Sequence, residues 1–156
     1  MKNNLKIIPL VDKPEALPIL KQWFEQEWES HYGPNGPGNA EKDLRAYCNR
    51  SKLPIGVVSY LDGKLCGMLA LKAESITTHS HLSPWAAAGF VAPQKRRKGI
   101  GSKLLCAIED IAKDMGYTKI YSGTSTAVNL LNRSDWQFME QTHYNGEDVS
   151  IYEKAL

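Results

Sequence analysis

The chain has 156 residues, of which 42% are hydrophobic and 23% charged, and its formal net charge is +2. That length suits one domain with its own core and is too short for two ordinary ones. So small a charge excludes the broad basic face that nucleic acid requires, and no apolar run is long enough to span a membrane. We expect one domain over residues 1–156, located in the cytoplasm because the N-terminus lacks the apolar segment of a secretion signal.

Three cysteines, Cys48, Cys66 and Cys106, are scattered along the sequence without a Cys-x-x-Cys pair. This arrangement favours neither a disulfide framework nor a zinc site, so we expect no metal. Cys106 falls on the predicted apolar face of a helix, and we expect it to be a small buried residue.

Hydrophobic periodicity predicts the first elements. An apolar run at residues 5–11 predicts a strand. Asp12 and Pro14 then mark the start of a helix, because proline is tolerated in the first turn. The Gly/Pro-rich segment 33–38 ends this helix, and a second helix is predicted over about residues 39–49.

Turn signals organise the rest of the chain. Asp62-Gly63 and Asn145-Gly146 lie between apolar runs and predict two-residue hairpin turns. The remaining elements are predicted as strands at 55–60, 65–72, 84–91, 119–123, 137–144 and 149–153, with helices at 99–115 and 126–134. The order β-α-α-β-β-β-α-β-α-β-β predicts an α+β fold, a mixed sheet with one βαβ crossover after Val91.

The most informative segment runs from the end of one predicted strand into a helix. It reads Val91-Ala92-Pro93-Gln94-Lys95-Arg96-Arg97-Lys98-Gly99-Ile100-Gly101-Ser102. Backbone N–H groups at a helix N-terminus bind anions, and glycine lets the backbone approach a phosphate closely. The segment lacks the spacing of a P-loop and of a dinucleotide-binding turn. A solvated basic turn that only caps the helix is the alternative interpretation.

The spacing Arg96-x-x-Gly99-x-Gly101 resembles the acetyl-coenzyme A signature of the GCN5-related N-acetyltransferase (GNAT) family. The lead-in Val91-x-Pro93 and the element order fit the same family. The resemblance implies acetyl-CoA as cosubstrate and acetyl transfer to a primary amine of a small molecule or peptide, by direct attack in a ternary complex. It implies that the coenzyme is bound by Phe90, Val91, Arg96, Arg97, Lys98, Gly99, Ile100, Gly101 and Ser102. An acyl-CoA-binding module with little turnover is the alternative.

The catalytic residues are less well defined. Family members usually carry a tyrosine acid in the helix after the fifth strand, and Leu131 occupies that position here. Ser134 and Tyr144 are the candidates to replace it. The candidates for the general base are Glu74, His79 and His81, since a histidine with a pKa near 6.5 suits proton transfer at neutral pH. A water relay would need no single base.

The acceptor end is predicted from aromatic and small residues. Trp28, His31 and Tyr32 precede the Gly/Pro loop, and Trp85 begins a run of small residues that could leave room for the acceptor. Packing of these alanines under a helix is the alternative. We expect an amine as partner, neither nucleic acid nor membrane, and a homodimer is compatible with the sequence.

Overall fold

The computed structural model describes residues 4–96 and 99–156. Its seven strands are β1 Leu5–Pro9, β2 Ile55–Leu61, β3 Lys64–Lys72, β4 Trp85–Val91, β5 Lys119–Thr124, β6 Gln137–Tyr144 and β7 Glu147–Ala155. Its helices are α1 Leu17–Glu27, α2 Glu29–Tyr32, α3 Ala40–Ala46, α4 Ile100–Asp114 and α5 Val128–Arg133. The predicted element order is therefore confirmed. The structure adds the one-turn helix α2 and ends β1 at Pro9, because the chain then enters a 3₁₀ turn, Leu10–Asp12.

The strands form one sheet in the order β1-β2-β3-β4-β5-β7-β6. Neighbouring strands are antiparallel except β4 and β5, which are parallel and are connected through α4. One face of the sheet packs on α4 through Leu104 and Ile108, and the other packs on α1 and α3 through Phe24 and Leu44. This mixed sheet, covered on both faces, confirms the predicted α+β class.

Both predicted hairpin turns are present. The paired residues Asp62-Gly63 and Asn145-Gly146 all have positive φ, between 50° and 82°, as a type I′ turn requires. The prediction for Cys106 is wrong: it lies on α4 but is exposed. No helix among residues 4–96 and 99–156 is long and apolar enough to cross a bilayer.

Strands β4 and β5 separate soon after they meet. Their register contains one pair, Trp85 with Tyr121. Just beyond it, the Ser122 hydroxyl donates to the Ala86 carbonyl over 3.0 Å. The pairing of β4 with β3 is irregular in the same region, where Ala88 has φ 57°, a left-handed conformation that costs an alanine free energy. The sheet therefore opens into a cleft on the C-terminal side of Trp85.

Helix α5 ends in a turn whose left-handed residue would favour glycine, but Asp135 occupies that position. The Trp136 N–H donates to the Leu131 carbonyl over 3.0 Å, which is the long bond of a Schellman ending. Asp135 supplies the left-handed residue that this ending needs, with φ 65°. The same residue is exposed, so its side chain contributes little packing.

We expect Asp135→Gly to raise the free energy of unfolding by about 1 kcal/mol, because glycine adopts positive φ without steric cost. Urea denaturation followed by circular dichroism measures the change. Asp135→Ala is the control and should lower the free energy of unfolding, since alanine lacks the short polar side chain that lets aspartate adopt positive φ more readily. A less stable glycine variant would contradict the assigned ending.

Candidate active site

The cleft between β4 and β5 has a volume of about 670 Å³. One wall is the β4 segment 86–91, and the opposite wall is the segment 122–127 at the end of β5. The N-terminus of α4, the β6–β7 hairpin and Trp28, which directly follows α1, also border the cleft.

Strand β4 offers hydrogen-bonding groups to this cleft. Within the part of the chain that the structure describes, β4 has no further strand pair with β5 beyond Trp85. An unpaired strand edge can bind an extended ligand as an added strand. Its N–H groups can also donate to an oxygen that becomes negative during a reaction. The small side chains of Ala86, Ala87, Ala88 and Gly89 leave space beside these groups.

The N-terminus of α4 is suited to bind an anion. Gly99 precedes the helix with φ 77°, and no side chain among the described residues caps the first turn, so the N–H groups of that turn can bind a ligand. Gly101 lies close to α5: a Cβ there would be 3.0 Å from Leu130 Cδ2. Ile100 and Ser102 also line this end. Arg97 and Lys98, predicted for the same role, lie outside the described residues.

Arg96 connects the basic loop to its surroundings. Its Nε donates to the Val91 carbonyl over 2.9 Å, and its guanidinium lies 5.7 Å from the Phe90 ring centre. A guanidinium nitrogen is 3.9 Å from a Glu27 carboxylate oxygen. Arg96 therefore holds the loop against β4 and the end of α1, while its half-exposed guanidinium still borders the cleft.

An aromatic cluster borders the cleft around Phe90. Trp28 borders the cleft and packs edge-on against Phe24 and Phe90, with ring centres 4.9 and 6.4 Å away. Tyr32 packs behind it, and its hydroxyl donates to Asp43 over 2.7 Å. Burial and this hydrogen bond raise the pKa of Tyr32. Tyr32 thus supports Trp28 rather than facing the cleft.

Two other predicted acceptor residues, like Tyr32, lie outside the lining of the cleft. Trp85 is fully buried, its ring packs 5.7 Å from that of Tyr121, and its indole N–H donates to the Leu82 carbonyl. Its prediction as an acceptor-binding residue is therefore wrong. At the last residue pair before β4 and β5 separate, the Trp85 side chain packs in the core and does not face the cleft. His31 is exposed and packs edge-on against Tyr32, outside the lining of the cleft.

Tyr144 is the predicted catalytic residue that borders the cleft. It ends β6 and is half-buried, and its hydroxyl oxygen accepts from the Thr77 hydroxyl over 3.3 Å. When the Thr77 hydroxyl is the donor, the phenolic proton is free to be donated. Among the described residues, the other four candidates do not line the cleft.

Each of those four has a structural reason for its position. Glu74 and His81 are exposed on the connection between β3 and β4. Ser134 caps the end of α5, and its carbonyl accepts from Lys154 over 2.9 Å. His79 pairs with Glu140, as described below.

Further cleft residues were not predicted. Leu131 is 2% exposed and forms part of the cleft wall, so it packs where a proton donor was expected. The additional charged residues that line the cleft are Glu27, Lys95, Arg133 and Glu147. Of these, Lys95 could have been found from the basic run, whereas Arg133 and Glu147 reach the cleft only because β5, α5 and β7 fold back on α4.

The comparisons with known proteins agree with this geometry. The sequence profile of the Acetyltransferase (GNAT) family matches residues 17–141. The chain belongs to that family. The predicted family and class of enzyme, an acetyl-CoA-dependent N-acetyltransferase, are confirmed. A comparison with curated proteins found no match.

Several solved structures share the fold at low sequence identity. One is aminoglycoside 6'-acetyltransferase type Ii, 15% identical, covering 97% of this chain and 96% of that one, with a TM-score of 0.74. Another is an aminoglycoside 6'-N-acetyltransferase complexed with coenzyme A, 12% identical over 99% and 97%, with a TM-score of 0.75. A third is yncA from Salmonella typhimurium with its cofactor acetyl-CoA, 16% identical over 99% and 94%, with a TM-score of 0.74.

We expect Gly101→Trp to weaken acetyl-CoA binding more than about 100-fold, because an indole at the first turn of α4 would fill the anion-binding end. Isothermal titration calorimetry measures the dissociation constant. The matched control is Lys103→Trp, two residues along the same helix and exposed outside the cleft. It should bind within about twofold of the unsubstituted protein. Unchanged affinity in folded Gly101→Trp protein would refute the placement of the anion end.

Proposed function

We propose that this protein transfers an acetyl group from acetyl-CoA to a primary amine of a small molecule, by direct attack while both are bound. The observation that carries the proposal is the cleft itself. It joins a helix N-terminus that no described side chain caps, an unpaired strand edge and a lining that includes aromatic and acidic side chains. These are the three environments that a phosphorylated thioester and an amine require.

The residues present fit the coenzyme. Its pyrophosphate would be bound by the N–H groups of residues 99–102, with Arg96 and the predicted Arg97 and Lys98 adding positive charge. The pantetheine arm would follow Phe90 and Val91 along the edge of β4. The structures similar to this chain that contain coenzyme A or acetyl-CoA support this choice of donor.

The chemistry follows from the arrangement. The amine, once it has lost its proton to water or a base, attacks the thioester carbonyl and forms the new C–N bond. Negative charge on the carbonyl oxygen would be stabilised by N–H groups of β4 near the bulge at Ala88. The C–S bond then breaks as the carbonyl re-forms, and the nitrogen loses its second proton to water. The thiolate accepts a proton from the Tyr144 hydroxyl, which water then reprotonates, or leaves as the anion.

Acidic and aromatic residues in the cleft lining favour a cationic acceptor. Glu147 borders the cleft beside Tyr144 and Asn145, and Glu27 and Trp28 also line it. Carboxylates attract an ammonium group, and an aromatic face can also bind one. The similar aminoglycoside acetyltransferases support a small molecule with amino groups. The cytoplasmic location and the homodimer stay predictions.

The alternative is a protein that binds an acyl-CoA with little turnover. One observation favours it: Leu131 is buried where a tyrosine acid was expected. Tyr144 lies at the end of β6 and borders the cleft. The general acid of the proposed enzyme therefore does not have to come from α5, where Leu131 lies.

We expect Tyr144→Phe to lower kcat by about 100-fold, because general acid catalysis contributes factors of that order. The affinity for acetyl-CoA should change little. Release of free coenzyme A over a panel of aminoglycosides, polyamines and amino acids, followed with a thiol reagent, measures kcat. The matched control is Tyr60→Phe on β2, outside the cleft, which should keep full activity.

Two results would count against these proposals. Tight acetyl-CoA binding without amine-stimulated thiol release from any acceptor would favour the binding module. If the unsubstituted protein is active and Tyr144→Phe keeps full activity, Tyr144 is not the general acid. The thiolate would then leave without a proton from the protein.

A further inference from the structure

We propose that Thr77, His79 and Glu140 form a clasp that positions Tyr144 at the mouth of the cleft. This inference rests on the proposed function, because it assigns these residues to the acetyl-transfer site. Thr77 and His79 belong to a single 3₁₀ turn, Thr77–His79, in the connection between β3 and β4. Glu140 and Tyr144 belong to β6. The clasp therefore joins two segments that are more than sixty residues apart in the sequence.

The turn is attached to β6 at both of its ends. At one end, Thr77 Oγ1 donates to the Tyr144 hydroxyl oxygen over 3.3 Å. At the other, His79 Nε2 contacts a Glu140 carboxylate oxygen at hydrogen-bonding distance. Because alternate residues of a strand share a face, Glu140 and Tyr144 present their side chains on the same side of β6. The two attachments thus act on one face of one strand.

The base of the turn is fixed by packing. Ile76, the preceding residue, is 6% exposed and packs in a small core with Trp85, Val149 and Ile151. It lies against Gly123 of β5, where a Cβ would approach Ile76 Cδ1 to 3.0 Å. Ile76 also lines the cleft. The turn therefore extends directly from the cleft wall, and the Thr77 hydroxyl is held beside Tyr144.

The hydrogen bonds around His79 define its role. Its Nδ1 lies 2.8 Å from Thr78 Oγ1, and its ring stacks on His81 with centres 5.9 Å apart. If Nδ1 accepts from the Thr78 hydroxyl, Nε2 carries the proton and donates to Glu140. With both ring nitrogens engaged and only 13% of the side chain exposed, His79 is not available as the predicted general base. It is a positioning residue.

The clasp has a physical reason to affect catalysis. A single hydrogen bond between two hydroxyl groups contributes only about 1 kcal/mol and would not hold a tyrosine ring in one place. A second attachment on the same strand restricts the motion of the turn relative to β6. Small displacements of a catalytic group lower the rate greatly, so loss of the clasp should reduce kcat more than substrate binding.

The test compares Glu140→Ala with Glu140→Gln. We expect Glu140→Ala to lower kcat about tenfold and to change the acetyl-CoA dissociation constant less than about twofold. Glu140→Gln should restore most of the rate, because its amide oxygen still accepts from His79. The matched control is Asp148→Ala, which breaks the His143–Asp148 pair on the same hairpin without contacting the turn.

A double-mutant cycle tests whether Glu140 affects kcat through Tyr144. In the Tyr144→Phe background, Glu140→Ala should cause no further loss, because the group it positions is already absent. An undiminished tenfold loss in that background would overturn the proposal. So would a Glu140→Ala enzyme with unchanged kcat, or an equal loss in Asp148→Ala. His79→Gln provides a second variant of the same contact should Glu140→Ala not fold.

A second readout separates this inference from the proposed function. If the unsubstituted protein releases no coenzyme A from any amine, the proposed function fails, but the clasp can still be measured. The ring resonances of Tyr144 in selectively labelled protein should shift in Glu140→Ala and stay unchanged in Asp148→Ala. Resonances that respond to neither variant would overturn the clasp.

Discussion

The structure depends on the separation of β4 from β5 after a single parallel pair. Trp85 and Tyr121 hold the strands together at one point, and the buried Trp85 ring fills the core beneath it. Beyond that point the bulge at Ala88 turns β4 away, and Gly123 lets Ile76 pack against β5. Backbone N–H and C=O groups of β4 that would pair with β5 in a continuous sheet are therefore free to bind a ligand.

The charges of the cleft follow from the same separation. The N-terminus of α4 lies beside the end of β4, so its free N–H groups and the nearby Lys95, Arg96 and Arg133 favour an anion at one end. Glu147 lines the cleft beside Tyr144 on the β6–β7 hairpin and favours a cation there, whereas the Glu27 carboxylate lies 3.9 Å from Arg96. A cleft lined by both basic and acidic side chains suits a phosphorylated donor and an amine acceptor, and the thioester would lie beside β4.

The sequence was most informative where local chemistry determines structure. Asp62-Gly63 and Asn145-Gly146 predicted hairpins because positive φ at two successive residues favours those residue types. The glycine-spaced basic run predicted the start of α4 for a similar local reason. Contacts between residues that are far apart in the sequence could not be predicted from local patterns. His79 was predicted as a base because histidine titrates near neutral pH, but its role depends on Glu140, sixty-one residues away. Trp85 was assigned to the acceptor, although only the pairing with Tyr121 shows that it belongs to the core.

Hydrogen–deuterium exchange with and without acetyl-CoA reports on the backbone groups of β4 themselves. Binding of acetyl-CoA along β4 predicts slower exchange in peptides that cover residues 86–91 and 99–104 when acetyl-CoA is added, with unchanged exchange in residues 55–61 of β2. Protection confined to other segments, with residues 86–91 unaffected at saturating acetyl-CoA, would contradict it.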